Sequence, residues 1–230
     1  MKSFKTIFLT LLIILISCKG NNKRDYSEKD KINLELKNTL ESILIKDQGI
    51  REIVNGNISD KRKTELLTQM NLSENDIDGN RKFDLMREID SINIAEVENI
   101  IAEFGYPSKS LVGEPAIKAV FYVIQHSDKI NKYLPLIREA TKNGDISQTS
   151  LAMMEDRNLM EQGLEQIYGT QIKGQANKKG EWIYFLWPIK NVDSINVWRK
   201  QIGLEQTVEE YLKDMDVEFK LYEINELSDL

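Results

Sequence analysis

Among 230 residues there is one cysteine, Cys18, and one histidine, His126. A single thiol forms no disulfide within the chain, so stability has to come from a packed core. One imidazole with no His-x3-His pair leaves only carboxylates to complete a metal site. No cofactor is implied. No serine sits in a Gly-x-Ser-x-Gly elbow, and no internal repeat stands out. Basic charge is not in excess: 31 Lys and Arg face 37 Asp and Glu, for a net charge of −6. That balance makes nucleic acid and anionic lipid head groups poor partners. The run Lys61-Arg62-Lys63 reads as a solvated helix face.

What is present begins with MKSFKTIFLTLLIILISCKG. Lys2 and Lys5 precede an apolar run, Ile7 to Ile16, that is too short for a membrane-spanning helix, which needs about 20 residues. Its length and flanks are those of a secretory signal. Leu15-Ile16-Ser17-Cys18 resembles a lipobox, the cleavage and acylation signal of bacterial lipoproteins. That resemblance implies a signal peptide over 1–17, acylation at Cys18 and a membrane partner. Several acyl chains on one terminus give durable attachment. Lys19 follows where an aspartate would signal inner-membrane retention, which points to the outer membrane of the cell envelope. Loss of Lys2 and Lys5 takes the net charge from −6 to −8. Residues 18–30 read as the anchored cysteine and a polar tether.

The remainder, 31–230, is expected to be one mainly α, multi-helix domain with a small β-hairpin. Ile32, Leu36, Leu40, Ile43 and Leu44 recur at helical spacing, with Ser27 and Asp30 placed as a cap. Helices are expected over 59–70 and 83–89, separated by the turn-rich SENDIDGN. Its Asp76, Asp78 and Gly79 suggest a calcium loop, but no glutamate closes it at the right distance. Another helix carries Ile94, Val97, Ile101 and Phe104 and stops at Gly105. Pro115 opens the next, which runs to His126; two more cover 133–141 and 147–166. Residues 170–174 and 182–187 alternate as strands of a hairpin around QANKKG. Asp193 caps a helix to Ile202, and Thr207 with Glu210 forms a capping box for the last. The tail VEFKLYEI fits a strand or a short helix.

The chemical signal lies in polar residues on apolar faces. In SQTSLAMMEDRNLMEQGLEQ, Glu155, Asn158, Glu161, Gln162 and Glu165 form the wet face, while Asp156 shares a stripe with Ala152, Leu159, Met160 and Gly163. Arg157 lies beside Met153, Met160 and Leu164. In IKDQGIREIV, Asp47 and Arg51 join the stripe of Leu36, Leu40, Ile43 and Val54 if the helix continues past Gly49. Arg199 falls between Ile195 and Ile202. Buried charges must meet partners, so these residues imply at least one shared network. Lys118, Tyr122, Gln125 and His126 form a polar stripe on an otherwise apolar helix. His126 is thus a member of that network or the place where the helix reaches water.

The runs GYPSKSLVG, VIQHSD, LAMMEDRNLMEQGLEQIYGTQ, WPI and RKQIGL, with DQGIR upstream, resemble the bacterial domain of unknown function 6624 family over about 35–212. No activity comes with that family, so the resemblance implies an outline and no mechanism. It marks Asp47, Gln48, Arg51, His126, Asp156, Arg157, Gln166, Tyr168, Gly169, Thr170, Gln171 and Arg199, and leaves the tail, 215–230, outside.

Three functions are compatible with these residues. The first is a pocket for a small polar or anionic ligand, such as a peptide or glycan fragment. Asp47, Gln48, Arg51, Tyr122, Gln125, Arg157, Gln166, Tyr168, Gln171 and Arg199 would line it. Arginine forks suit carboxylates and phosphates, and Tyr168 with Trp182 or Trp187 would stack on a ring. The second is a hydrolase-type enzyme. His126 is then the general acid or base, oriented by Asp156 or Asp128, with Arg157 or Arg199 stabilising negative charge. The third is a structural lipoprotein that binds an envelope protein and whose polar network is architectural.

Overall fold

Asn33 opens the first helix by accepting the Leu36 amide on its side chain at 3.0 Å, and α1 runs unbroken over Leu34–Asn55. The structure is a computed structural model and describes residues 32–230; the leader, Cys18, the tether and the expected Ser27 and Asp30 cap lie outside them. Gly49 does not interrupt α1. It is buried, and a Cβ there would meet Leu66 Cδ2 at 3.0 Å and Met70 Sδ at 3.2 Å, so the missing side chain is what admits the next helix. That helix, α2 (Asp60–Met70), begins one residue after the expected start, with Ser59 as its cap.

After a 3-10 turn at Glu74–Ile77 comes α3 (Arg81–Phe104), one helix where two were expected. Nothing between Phe83 and Phe104 breaks it: no Gly or Pro occurs there, and Ile89, Asn93, Val97 and Ile100 continue a single buried stripe. A short helix that the sequence did not signal, α4 (Lys109–Val112), precedes α5 (Lys118–Gln125), which begins three residues beyond Pro115 and ends at His126. Then follow α6 (Ile130–Lys142) and α7 (Gln148–Glu161). α7 stops short of Gln166 because Gly163 takes a left-handed φ of 71°. Leu164 N then bonds Leu159 O, and Gly163 N bonds Met160 O, a Schellman ending. The expected wet face is also incomplete: Asn158, inside α7, is buried.

The hairpin forms, with its first strand two residues later than expected: β1 (Ile172–Ala176) takes in Gln175 and Ala176 of the expected loop and pairs antiparallel with β2 (Trp182–Leu186), Gly174 opposite Tyr184. In α8 (Ile195–Gln201), Asn191 rather than Asp193 secures the entry, its side chain accepting Ser194 N at 3.1 Å. α9 (Val208–Asp214) carries the predicted Thr207–Glu210 capping box. Residues 217–223 form neither the strand nor the helix considered for them; Tyr222 packs edge-on against Phe185 instead.

Three apolar clusters organise the described residues. The largest surrounds α5 and takes Leu36, Leu40 and Ile43 of α1, Val97 of α3 and Ile137 of α6. The second takes the far half of α1, Ile50 and Ile53, with Leu66 and Met70 of α2 and Ile89 of α3. The third joins Leu186 and Ile189 to Ile195, Val208 and Leu212. At α3's outer edge, Glu98 accepts from Lys129 Nζ (2.6 Å), Lys132 Nζ (2.7 Å) and the Tyr133 hydroxyl (2.7 Å). Those donors lower its pKa to about 2.

Candidate functional site

On α1, Asp47 lies between Ile43 of the first cluster and Ile50 of the second. A carboxylate 1 % exposed at that seam requires partners, and it has three. Arg51, one turn on, donates from Nη1 to the Asp47 carbonyl (2.7 Å) and carboxylate (3.2 Å), and from Nη2 to Asp90 of α3 (2.8 Å). Gln48 Nε2 donates at 2.6 Å. The third is His126, whose Nδ1 stands 3.1 and 3.2 Å from the two carboxylate oxygens. The ring of Tyr122, one turn back on α5, stacks on the imidazole at 6.4 Å. His126 is therefore held by Asp47, not by Asp156 or Asp128.

Among the described residues, four buried side-chain polar atoms are left unsatisfied. Arg157 Nε, Gln125 Oε1 and both side-chain polar atoms of Asn93 are buried without a hydrogen-bond partner. Burial lowers the Arg157 pKa; Glu161 opposes this and Arg51 adds to it. Burial raises the pKa of Glu161, against Arg157 and with Asp128. Arg51 is already paired with Asp47 and Asp90, so the open position is Arg157 Nε, a donor suited to a carboxylate or phosphate oxygen.

Tyr122 lines two clefts, neither of which is lined by His126 or Arg157. One, of about 280 Å³, runs between α1 and α2 past Gln48 and Gly49. The other, of about 440 Å³, lies beside Lys109, Lys118 and Ser147.

The remaining inward residues form a second network with a different task. Asp156, fully buried, accepts from the amides of Ile167 (2.7 Å), Tyr168 (3.0 Å) and Thr170 (3.1 Å) and from the Thr170 hydroxyl (2.9 Å). Burial pushes its pKa up, and these four donors pull against it. From the opposite side, Arg199 donates to the carbonyls of Gln206 (2.8 Å) and Tyr168 (2.8 Å) and lies over the Tyr211 ring. Gln166 donates to the carbonyls of Gln171 and Trp187 and accepts the Gln171 amide. Gln171 Nε2 reaches Met153 O at 3.2 Å. A carboxylate thus takes the Tyr168 and Thr170 amides of the Tyr-Gly-Thr turn, a guanidinium takes the Tyr168 and Gly169 carbonyls, and the Tyr211 hydroxyl takes that of Thr170 at 3.1 Å.

The sequence implied at least one shared network; the structure has two hydrogen-bonded sets. Asp47, Gln48, Arg51 and His126 form the first, with Tyr122, Gln125 and Arg157 around it; Asp156, Gln166, Tyr168, Gln171 and Arg199 form the second. Trp187 is buried with Nε1 on Leu164 O at 2.7 Å, so it offers no stacking face, whereas Trp182 and Tyr184 are exposed. Sequence reasoning missed Asp90 and Asn93. Read as one helix, α3 would have shown them: 90, 93, 97 and 100 follow at spacings of three, four and three, on the stripe of Val97 and Ile100.

Residues 34–222 match the model of a family of unknown function (DUF6624). No curated protein and no solved structure matches the chain. The match extends past Asp214, so residues 215–222 of the tail belong to the family region and are not particular to this protein. The chain is a member of that family.

Proposed function

For a member of a family of unknown function, we propose that the Asp47–His126 cluster binds a small polar ligand bearing a carboxylate or phosphate. The observation that carries this reading is the buried, unpartnered Nε of Arg157 beside Arg51. A buried donor left unpaired costs about 1–3 kcal/mol, and a bound anion would remove that cost. The second network offers this reading less, since Asp156, Gln166 and Arg199 spend their hydrogen bonds on backbone groups.

The test is heat denaturation with succinate and with inorganic phosphate. One of them should raise the Tm of the wild-type protein, and Arg157→Met should abolish the shift while keeping the helical circular dichroism. An equal shift in the variant would exclude Arg157 from binding.

The lipobox-like Leu15-Ile16-Ser17-Cys18 supports a second element of the reading, a bacterial envelope protein anchored through acylated Cys18 and facing peptides, glycan fragments and other envelope proteins. Cells fed an alkyne-bearing palmitate should label the protein, and Cys18→Ala should lose the label. Labelling that survives Cys18→Ala would sink the anchor.

A further inference from the structure

Burial closes the carboxylate of Asp47 to a ligand: Gln48 holds Oδ2, Arg51 holds Oδ1, His126 Nδ1 is shared between the two, and the side chain is 1 % exposed. What this arrangement fixes is the imidazole. An ionised carboxylate at 3.1 Å requires a proton on Nδ1, so the neutral ring carries its lone pair on Nε2. Among the described residues no group takes Nε2, nor is it among the buried unsatisfied atoms. The ring is 17 % exposed, and Tyr122 stacks on it. A buried aspartate that sets the tautomer, with Nε2 turned outward, is the geometry of a proton-transferring histidine.

We propose that His126 is the general base and acid of a hydrolytic centre, with Nε2 the reacting atom and Asp47 its positioning residue, acting on an ester whose acyl part carries a carboxylate. This rests on the ligand reading above. The ester class follows from the cations on hand. Arg51 is committed to Asp47 and Asp90, which leaves Arg157 to meet one carboxylate or one oxyanion; phosphoryl transfer spreads its charge over three oxygens and calls for a fuller clamp. The nucleophile is water, because the adjacent Ser127 hydroxyl already donates to Ile124 O and accepts from Lys129 N.

The step balances without any further reactant. The Nε2 lone pair takes a proton from water as the water oxygen bonds to the acyl carbon, and the carbonyl π pair moves onto its oxygen. Collapse re-forms the carbonyl and breaks the bond to the alkoxide. The alkoxide leaves with the proton from Nε2, and the imidazole is neutral again.

The experiment uses mono-4-nitrophenyl succinate and 4-nitrophenyl acetate as substrates, succinate as a binding probe, and 15N spectra of the protein's one imidazole. The succinate ester should be hydrolysed faster than the acetate ester. His126→Gln should lower kcat/KM at least about 100-fold, the range of general acid–base catalysis. Asp47→Asn should lower kcat more than it raises KM, and Arg157→Met should narrow the preference for the succinate ester. The 15N spectrum of the wild type, which depends on no variant folding, should show the Nδ1–H tautomer. An Nε2–H tautomer, or turnover equal in wild type and His126→Gln, overturns the catalytic proposal. Succinate that stabilises the protein while neither ester is turned over in a His126-dependent way removes the catalysis and leaves the binding site standing. Neither binding nor turnover removes both.

Discussion

Glu98 shows at the residue scale how a side chain that sequence patterning passes over can govern acid stability. Its three donors, Lys129, Lys132 and Tyr133, lower its pKa from 4.5 to about 2. A carboxylate depressed on folding contributes stability that is complete above the unfolded pKa and disappears as pH falls through the folded one. The window is therefore pH 4.5 down to about 2. Glu98→Gln should flatten the loss of the urea midpoint across that range; an unchanged slope would mean the exposed lysines contribute little, as surface pairs often do. Of the residues read by helical face, Asp47, Asp156 and Arg199 are buried, while Arg51 and Arg157 are half-buried. Their partners were not legible, because a helical wheel gives a direction and not what stands opposite. Hence Asp156 could be mistaken for the group behind His126, when it serves the backbone of residues 167–170.

For the elements, caps and stops carried most of the legible information. The Thr207–Glu210 capping box is where short-range rules put it, and α2 and the hairpin form within two residues of their expected bounds. The failures came where a boundary depends on tertiary partners. The expected break inside α3 was two amphipathic stretches read separately, and α7 ended early at a glycine that looked like part of a stripe. Gly169 is the sharpest case of tertiary demand on a turn. Its φ is 64°, and a Cβ would stand 2.7 Å from Ile195 Cδ1 and 3.0 Å from Val208 Cγ2. Gly169→Ala should therefore destabilise by about 2–3 kcal/mol, the sum of left-handed strain and overpacking. Urea unfolding would measure it, and a loss below 0.5 kcal/mol would show that α8 and α9 give way.

For the molecule as a whole, the bonds of Asp156 and Gln171 join α7 to the segment that leads into the hairpin, α8 and α9, which have an apolar cluster of their own. Asp156→Ala leaves three amides and a hydroxyl without their acceptor and should cost about 3 kcal/mol. Amide exchange should rise across 166–214 while α1, α3 and α5 keep their protection; uniform acceleration over the whole chain would refute the division. The mainly helical class with a small sheet was readable from periodicity alone. The split of the polar residues into two sets was not, since it depends on which helices meet.

α1 passes from one apolar cluster to the next and is gripped on both sides of Asp47, by Leu40 and Ile43 before it and Ile50 and Ile53 after it. The groups around His126 are consequently preorganised: their backbone entropy was lost when the two clusters formed. A ligand arriving there would forfeit mainly its own freedom, so a small one could bind with few contacts.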